Sequence, residues 1–408
     1  MMLKSLIWDN PVLVKHLRSR LRLQHLIPLM AVVVVIAACI IWYGFSPREY
    51  GREEAIQTSL TMLLILQGLI LFLGGSAQLA GTVVNAREQG MLDFHRMSPQ
   101  RPVALALGFL LGAPIREYIL FACTLPFIVP FIRLGQHGTL GMFGILLETI
   151  VVSLLYNVLA LVLGLVNPKP RGSVAIVIII VVALQLIHVV PGFAYLTIFP
   201  TAFSSLNFTQ QSFTAALFGH PTAPIIVSLL NQVVLASFLF YVAVRKIRHE
   251  RAYAYARPVA ILFYLVIGVM IMADMMAPVV IPTVIDNTHV QYFPIPIGAL
   301  PLVTIYTMFL IGLFVLPAVT PKAGDFIKGI RHARKQGLSL VPPWSDLAAN
   351  WPPVLACGTL LLLLSSVACL LVQMRMHSLI GIDLHITRNS YLACVLATFT
   401  LIAYGLAK

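Results

Sequence analysis

The chain has 408 residues, of which 59% are hydrophobic and 10% are charged, and its formal net charge is +13. A soluble globular domain carries roughly 25% charged residues, so this composition excludes a chain that is solvated over most of its surface. The positive charge does not indicate nucleic-acid binding, because the sequence shows no basic domain with base-reading elements.

Residues 1–25 are predicted to form a connecting helix that lies in the membrane interface. Asn10 can cap such a helix, and Pro11 suits its first turn. An apolar face repeats at i, i+3 and i+7 and comprises Val14, Leu17 and Leu21. A basic face has the same spacing and comprises Lys15, Arg18 and Arg22. A helix of this kind places its basic face on anionic lipid headgroups. The alternative is a solvated basic tail.

Ten apolar runs have about the length that a helix needs to cross a hydrocarbon core of about 30 Å. They are residues 26–44, 59–82, 115–133, 140–165, 173–190, 223–243, 258–280, 295–317, 352–372 and 389–407. We therefore predict an all-α, polytopic bundle of transmembrane helices. Basic residues concentrate in alternate connections, which places both termini in the cytoplasm and predicts an integral protein of the bacterial inner membrane.

A short charged loop, residues 85–102, separates the second apolar run from the third. The stretch that follows it, residues 103–133, is too long for one straight span. Gly-Ala-Pro at 112–114 interrupts this stretch, and the opposite charges of Arg116 and Glu117 follow. We predict a helix along the cytoplasmic membrane surface over 103–112 and a span that begins near Arg116.

The predicted core, residues 26–250, ends with an unusual segment before its sixth span. Residues 191–222 contain no Lys, Arg, Asp or Glu, although they connect two spans, and they are rich in phenylalanine, including Phe199 and Phe203. This composition predicts a pair of short helices that dip back into the outer leaflet, which is tolerated where such backbone packs on protein or lines a cavity. Residues 251–408 are predicted to add four further spans.

Catalytic signatures are absent from the sequence. It contains no phosphate-binding G-x-x-x-x-G-K-[ST] loop and no metal-ligand spacing, so we expect no enzyme activity, no metal and no cofactor in this chain. Glu148 is the most costly polar residue within a span, and Asn157 lies in the same apolar run. Each can line a substrate path, or can join neighbouring helices by hydrogen bonds.

Three motifs resemble the permease of the type-2 ATP-binding-cassette exporters. The run Asn-Pro-Val-Leu-Val-Lys at 10–15 is similar to the opening of that family's connecting helix. The run Arg-Glu-Gln-Gly-Met-Leu-Asp at 87–93, with Ser-Pro at 98–99, is similar to its coupling segment. The run at 108–117 resembles the stretch that follows, and the resemblance covers about residues 10–245.

The chain departs from the family pattern at three positions. His16 stands where an acidic residue is common, Met91 replaces the usual Thr, and Phe109 occupies a position that is often Lys. The four spans after residue 250 lie outside the six-span core of the family.

The resemblance implies a transport function that depends on a partner. A separate cassette ATPase, which carries the ATP and magnesium, docks on loop 85–102. A second copy of the chain or a similar permease encloses the path with it, and the cargo, which is expected to be exported, is lipid-like or amphipathic. The residues implied in docking are Arg87, Glu88, Gln89, Gly90, Leu92, Asp93, Arg96, Ser98 and Pro99.

Two other functions remain open at this point. The chain can be a scaffold that organises a larger membrane complex without transport. It can also be a membrane enzyme that acts on lipid-linked substrates, which requires convergent acid, base or metal groups that the sequence does not show.

Overall fold

The structure is a computed structural model that describes most of the chain. The described residues are 10–46, 51–97, 100–133, 138–166, 174–181, 215–217, 220–222, 224–249, 253–275, 282–286, 289–292, short stretches between 305 and 316, 323–337, 351–380 and 386–407.

Among the described residues, five helices are long and apolar enough to cross a membrane, which makes the chain an integral membrane protein. They are Leu23–Phe45, Glu53–Glu88, Ile115–Arg133, Gly141–Val166 and Ile226–Arg248. These helices correspond to the first four and the sixth of the ten predicted spans. Of the other five predicted spans, residues 173–190, 258–280 and 295–317 fall partly outside the described residues, whereas 352–372 and 389–407 lie within described helices. Shorter apolar helices in these regions are Arg257–Ile271, Pro353–Val367 and Ala393–Tyr404.

The first helix, α1, covers Pro11–Arg20 and begins as predicted at an Asn cap. The side chain of Asn10 accepts a hydrogen bond of 3.1 Å from the backbone N–H of Val12. The buried residues of α1 are Val12 and His16, whereas the predicted apolar face of Val14, Leu17 and Leu21 is only half-buried. The packed face of this helix is therefore rotated from the one that periodicity predicts.

Helix α2 covers Leu23–Phe45, and a long helix follows it. The long helix consists of α3, Arg52–Gly68, a π-helical segment, Leu69–Gly75, and α4, Ser76–Glu88. The predicted loop was expected to begin at residue 85, but the helix continues to Glu88. The stretch Glu53–Glu88 has 36 residues, or about 54 Å of helix, so it extends beyond a hydrocarbon core of about 30 Å.

Helices α5, Met91–Met97, and α6, Pro102–Gly112, follow the long helix. A turn at Ala113–Pro114 then separates α6 from α7, Ile115–Thr124, at the predicted interruption. A 3-10 turn, Leu125–Ile128, and α8, Val129–Arg133, complete that membrane helix. The break arises because Pro114 lacks an N–H and its own backbone leaves helical geometry, with φ -90° and ψ 20°.

Helix α9 covers Gly138–Val166, residues 174–181 are helical, and α10 covers Pro224–Arg248. The described helices from α1 to α9, and α10 from residue 228 onwards, belong to one compact unit, which comprises residues 1–188, 196–212 and 228–250. Its apolar core joins α4, α6 and α9 through residues such as Leu79, Phe109 and Leu161. The rings of Phe72 and Tyr156 meet edge to face at 5.3 Å.

A second compact unit comprises residues 189–195, 213–227 and 251–408. It contains an antiparallel hairpin of β1, Ala215–Leu217, and β2, His220–Thr222. The predicted pair of short helices is therefore wrong for this end of segment 191–222, and residues 191–214 lie outside the described part of the chain. The hairpin suits this end because Pro221 cannot continue a helix.

The remaining elements of the second unit are mostly helical. They are α11, Arg257–Met275, a hairpin of β3, Pro282–Asp286, and β4, His289–Tyr292, then α12, Ala323–Lys335, α13, Trp351–Ile380, and α14, Ile386–Ala407. Tyr264 of α11 donates a hydrogen bond of 3.0 Å to the carbonyl oxygen of Met308. Small residues allow close packing in this unit, since a Cβ at Gly358 of α13 would lie 3.0 Å from the side chain of Ile402 in α14.

Candidate functional site

The loop between α4 and α5 turns at a glycine that the backbone requires. Gly90 has φ +67°, a left-handed conformation that L side chains rarely adopt. Its N–H donates a hydrogen bond of 3.0 Å to the carbonyl oxygen of Arg87, which closes the end of α4. A Cβ at Gly90 would meet no atom within 4 Å. The backbone conformation at Gly90, and not a lack of space, therefore demands glycine.

Helix α5 has one buried face and one exposed face. Leu92 is only 2% exposed and belongs to the apolar core. Phe94 is 68% exposed and Met97 is 82% exposed, and Asp93 beside them is exposed too. We call Glu88, Gln89, Asp93, Phe94 and Met97 the loop face, since all five are exposed. It presents two large apolar side chains among acidic and amide groups.

Arg96 of α5 binds the last turn of α10. Its Nε donates a hydrogen bond of 2.8 Å to the carbonyl oxygen of Ile247, and its Nη2 donates one of 3.3 Å to that of Lys246. Its Nη1 pairs with Asp93. The last carbonyls of a helix have no partner within the helix and carry negative partial charge, so a guanidinium is a favourable partner for them.

Arg87, at the end of α4, binds the end of another membrane helix. Its Nη1 donates a hydrogen bond of 3.4 Å to the carbonyl oxygen of Leu165, in the last turn of α9. The two arginines that flank the turn at Gly90 therefore each bind a different helix end. We call the C-terminal ends of α9 and α10, where these arginines bind, the loop end. We call Arg87 and Arg96 together the arginine clasp.

Helix α1 lies against α6 with close backbone approach. A Cβ at Gly108 would lie 2.9 Å from the side chain of Asn10, and one at Gly112 would lie 3.0 Å from Cβ of His16. The Asn10 side chain donates a hydrogen bond to the carbonyl oxygen of Ala104 at the start of α6. Since these contacts require small residues on α6, the two glycines fix the position of α1.

Helix α1 also contacts the long helix and the loop. Arg20 donates hydrogen bonds of 2.7 Å to Oε1 of Gln78 and 3.0 Å to Oγ1 of Thr82, both in α4. Lys15 Nζ lies 3.4 Å from Sδ of Met91, the first residue of α5. Helix α1 is thus attached to α4, α5 and α6 together.

The three departures from the family pattern lie in two contacts of α1. The ring centroids of His16 and Phe109 are 5.7 Å apart, so the residues at two of the three positions contact each other. The residue at the third position, Met91, contacts Lys15. Burial, together with the smaller effect of the charges of Arg20 and Lys15, lowers the pKa of His16 from 6.5 to about 4. His16 is therefore neutral at pH 7.

Glu148 belongs to a buried polar cluster between α9 and α10, which also contains Ser228 and Gln232. Its Oε1 accepts hydrogen bonds from the Ser228 hydroxyl and, at 2.6 Å, from Nε2 of Gln232. Nε2 of Gln232 also donates to Oγ of Ser228 at 2.8 Å. Glu148, Ser228 and Gln232 are completely buried. Oε2 of Glu148 and Oε1 of Gln232 have no hydrogen-bond partner among the described residues.

Asn157 joins helices instead of lining an open path. Its Nδ2 donates hydrogen bonds of 2.9 Å to the Tyr118 hydroxyl on α7 and 3.5 Å to Oγ of Ser153 on its own helix. Its Oδ1 would lie 3.3 Å from a Cβ at Gly75, in the π-helical segment. This supports the helix-joining interpretation of Asn157 over the substrate-path interpretation.

The structure places the predicted site residues in two separate groups. Arg87, Glu88, Gln89, Gly90, Leu92, Asp93 and Arg96 lie together around α5, and Glu148 and Asn157 lie within the helices. Ser98, Pro99, Phe199 and Phe203 fall outside the described residues. The sequence analysis missed Ser228 as a partner of Glu148. A signal was present, since Ser228 and Gln232 are polar and one helical turn apart in an apolar run.

No match to this chain is found among protein-family models, among curated proteins or among solved structures. Within the described part of the chain, no group of three His, Cys, Asp or Glu residues is arranged to hold a metal ion.

Proposed function

We propose that this chain is the membrane permease subunit of a type-2 ATP-binding-cassette exporter, which moves a lipid-like or amphipathic substrate. A separate ATPase subunit docks on loop 85–102 and supplies ATP hydrolysis. The observation that carries the proposal is a short exposed helix, α5, between two membrane helices, with its base bonded to the ends of two others.

The loop face has the chemistry of a docking surface. Phe94 and Met97 are large apolar side chains that remain exposed, although the rest of the short helix is anchored by Leu92. Exposed aromatic residues and methionine are enriched in protein interfaces, and exposed apolar side chains rimmed by polar ones mark binding sites. Glu88 and Asp93 supply the polar rim.

The arginine clasp gives the loop a mechanical connection to the membrane helices. A displacement of α5 pulls on the carbonyls of Ile247 and Lys246 through Arg96, and a displacement of Gly90 pulls on Leu165 through Arg87. Coupling between distant sites requires contacts between rigid elements, and helices α9 and α10 are such elements. Movement of an ATPase against the loop face would therefore move α9 and α10.

Two of the departures from the family pattern lie in one contact between α1 and α6. The family pattern commonly has an acidic residue at position 16 and often Lys at 109, whereas this chain has His16 and Phe109, and their rings are in contact.

The proposed assembly has two permeases, either two copies of this chain or this chain with a similar one, in the bacterial inner membrane with their termini in the cytoplasm. Coupling in such an assembly is reciprocal: the cargo changes nucleotide affinity by the same factor as nucleotide changes cargo affinity. The apolar composition of the helices favours a cargo that is itself amphipathic.

The test is purification of the tagged full chain in mild detergent, with identification of bound proteins and assay of ATPase activity. Glu88→Ala and Asp93→Ala are compared with Glu54→Ala, which removes an exposed carboxylate in the first turn of α3. We expect a cassette ATPase to co-purify, and its association or activity to fall in the two loop variants alone. Purification without any ATPase would contradict the proposal and favour the scaffold function.

A further inference from the structure

The polar cluster of Glu148, Ser228 and Gln232 has two oxygen atoms that the described residues leave without a partner. Both donors of the cluster, the Ser228 hydroxyl and the Gln232 amide, are directed to the same oxygen of Glu148, Oε1. Oε2 of Glu148 and Oε1 of Gln232 are buried and receive no hydrogen bond. Each buried acceptor without a partner costs free energy, and two of them belong to this one cluster, so the cluster calls for a donor.

The position of the cluster makes this requirement stronger. Glu148 lies seven residues from Gly141, the start of its membrane helix, and Gln232 lies six residues from Ile226, the start of the other. Each is therefore about 10 Å along its helix. This places the cluster in the half of the helices opposite the loop end. Two ion pairs among the described residues, Arg96 with Asp93 and Arg116 with Glu117, do not include Glu148.

A primary ammonium group fits these two oxygens better than other headgroups. It carries three donors, which is enough for the two open oxygens, and its charge balances that of the carboxylate. A neutral hydroxyl supplies one donor and no charge, whereas a phosphate or carboxylate would be repelled. Ionisable residues within membrane helices mark substrate sites when no protein partner balances them.

We propose that Glu148 and Gln232 form a binding site for the primary ammonium headgroup of an amphiphile, with Ser228 holding the carboxylate in place. The proposal that Glu148 and Gln232 bind an ammonium group does not depend on transport. The further step, that the cargo is an ammonium amphiphile, rests on the proposed function. The same ammonium chemistry can come from transported cargo or from an ethanolamine phospholipid of the membrane.

The experiment measures binding of dodecylamine by calorimetry to the full chain in phosphatidylcholine nanodiscs at pH 7, with empty nanodiscs subtracted. Dodecanol is the probe without charge. Glu148→Gln is the informative variant, because it keeps an oxygen acceptor for Ser228 and Gln232 but removes the charge. Glu54→Gln is the matched control, since it removes a carboxylate that is exposed. Gln232→Leu removes the second acceptor.

We expect saturable dodecylamine binding that weakens at least about tenfold in Glu148→Gln, since a charge-assisted hydrogen bond is lost. Gln232→Leu should weaken binding severalfold, Glu54→Gln should not change it, and dodecanol should show no dependence on residue 148. Equal binding by wild type and Glu148→Gln, or no binding by wild type, overturns the proposal and leaves Glu148 with a structural role alone.

A second arm replaces part of the phosphatidylcholine with phosphatidylethanolamine. Loss of dodecylamine binding in those nanodiscs upholds the site and assigns it to membrane lipid. Retained binding upholds the site and assigns it to a cargo amine. Neither arm requires an ATPase, so failure of the permease proposal and failure of this site give different results.

Discussion

Helices α9 and α10 are joined in two places, and the two junctions are built differently. At the loop end, arginine side chains from the loop bind backbone carbonyls of Leu165 and Ile247, which have no other partner within their helices. In the opposite half of the two helices, the side chains of Glu148, Ser228 and Gln232 hydrogen-bond to each other. Two of their oxygen atoms receive no hydrogen bond from the described residues.

The difference between the two junctions indicates different tasks. Backbone carbonyls at a helix end cannot move without the helix, so under the proposed function the loop end would transmit displacement of α5 to α9 and α10. Side chains with open acceptors can change partner without a change of fold, so the polar cluster can receive a ligand. The same pair of helices would thus connect a docking surface to a binding site.

Removal of the arginine clasp should have the largest effect on this arrangement. We expect Arg96→Met to lower the free energy of unfolding by about 2–3 kcal/mol, since hydrogen bonds from a charged group to partly buried carbonyls are lost. Arg101→Met is the control, because Arg101 is exposed in the same loop. Denaturant unfolding in detergent measures both. Equal effects would show that Arg96 does not anchor α5.

Gly108→Val tests the attachment of α1 at the loop end. A Cβ there would meet Asn10 at 2.9 Å and Val12 at 3.0 Å, so we expect α1 to be displaced. Overpacking of this kind costs about 2 kcal/mol. Gly81→Val is the comparison, since a Cβ at Gly81 meets Val174 at an ordinary 3.8 Å. Thermal unfolding and protease access to α1 report the result, and an undisturbed Gly108→Val would contradict the close packing.

Acid should weaken the loop end through His16. Its folded-state pKa of about 4 lies below the ordinary 6.5, so neutral His16 contributes stability that is complete above pH 6.5 and is lost as pH falls towards 4. The loss should reach about 2 kcal/mol near pH 5. His16→Gln should remove this part of the pH dependence. Identical pH profiles of stability for wild type and His16→Gln would contradict the proposed contribution of His16 to acid sensitivity.

The smallest effect is expected at the polar cluster without ligand. Ser228→Ala removes one donor to Glu148 and should cost about 1 kcal/mol. Ser237 is an exposed serine on the same helix, and its hydroxyl donates to the carbonyl oxygen of Val233. Ser237→Ala should therefore change stability by less than about 0.5 kcal/mol. Measured unfolding free energies decide between them, and a larger effect from Ser237 would argue against the cluster.

Local signals in the sequence predict much of the fold. The Asn10 cap, the interruption at 112–114 and five of the membrane helices follow from capping, proline geometry and apolar run length. The continuation of α4 to Glu88 was missed because charged residues suggested a loop, yet Ala-Arg-Glu at 86–88 favours helix and the helix ends only before Gly90.

Tertiary contacts account for what the sequence does not predict. Periodicity finds an amphipathic helix over 11–20 but does not show where α6 lies, so the buried pair Val12 and His16 was not anticipated. The bond between Ser228 and Glu148 joins residues 80 apart in sequence. Arg96 binds carbonyls 150 residues away, and a backbone acceptor leaves no mark in the sequence.

The central claim is that the loop face docks an ATPase, and photo-crosslinking from position 97 tests it most directly. A photoreactive phenylalanine replaces Met97, which is 82% exposed on α5, and, as the control, Ile327, which is 49% exposed on α12. The account predicts a covalent adduct between residue 97 and a cassette ATPase, identified by mass spectrometry, and none from residue 327. Absence of that adduct from intact, membrane-inserted chain, or equal yield from residue 327, would contradict it.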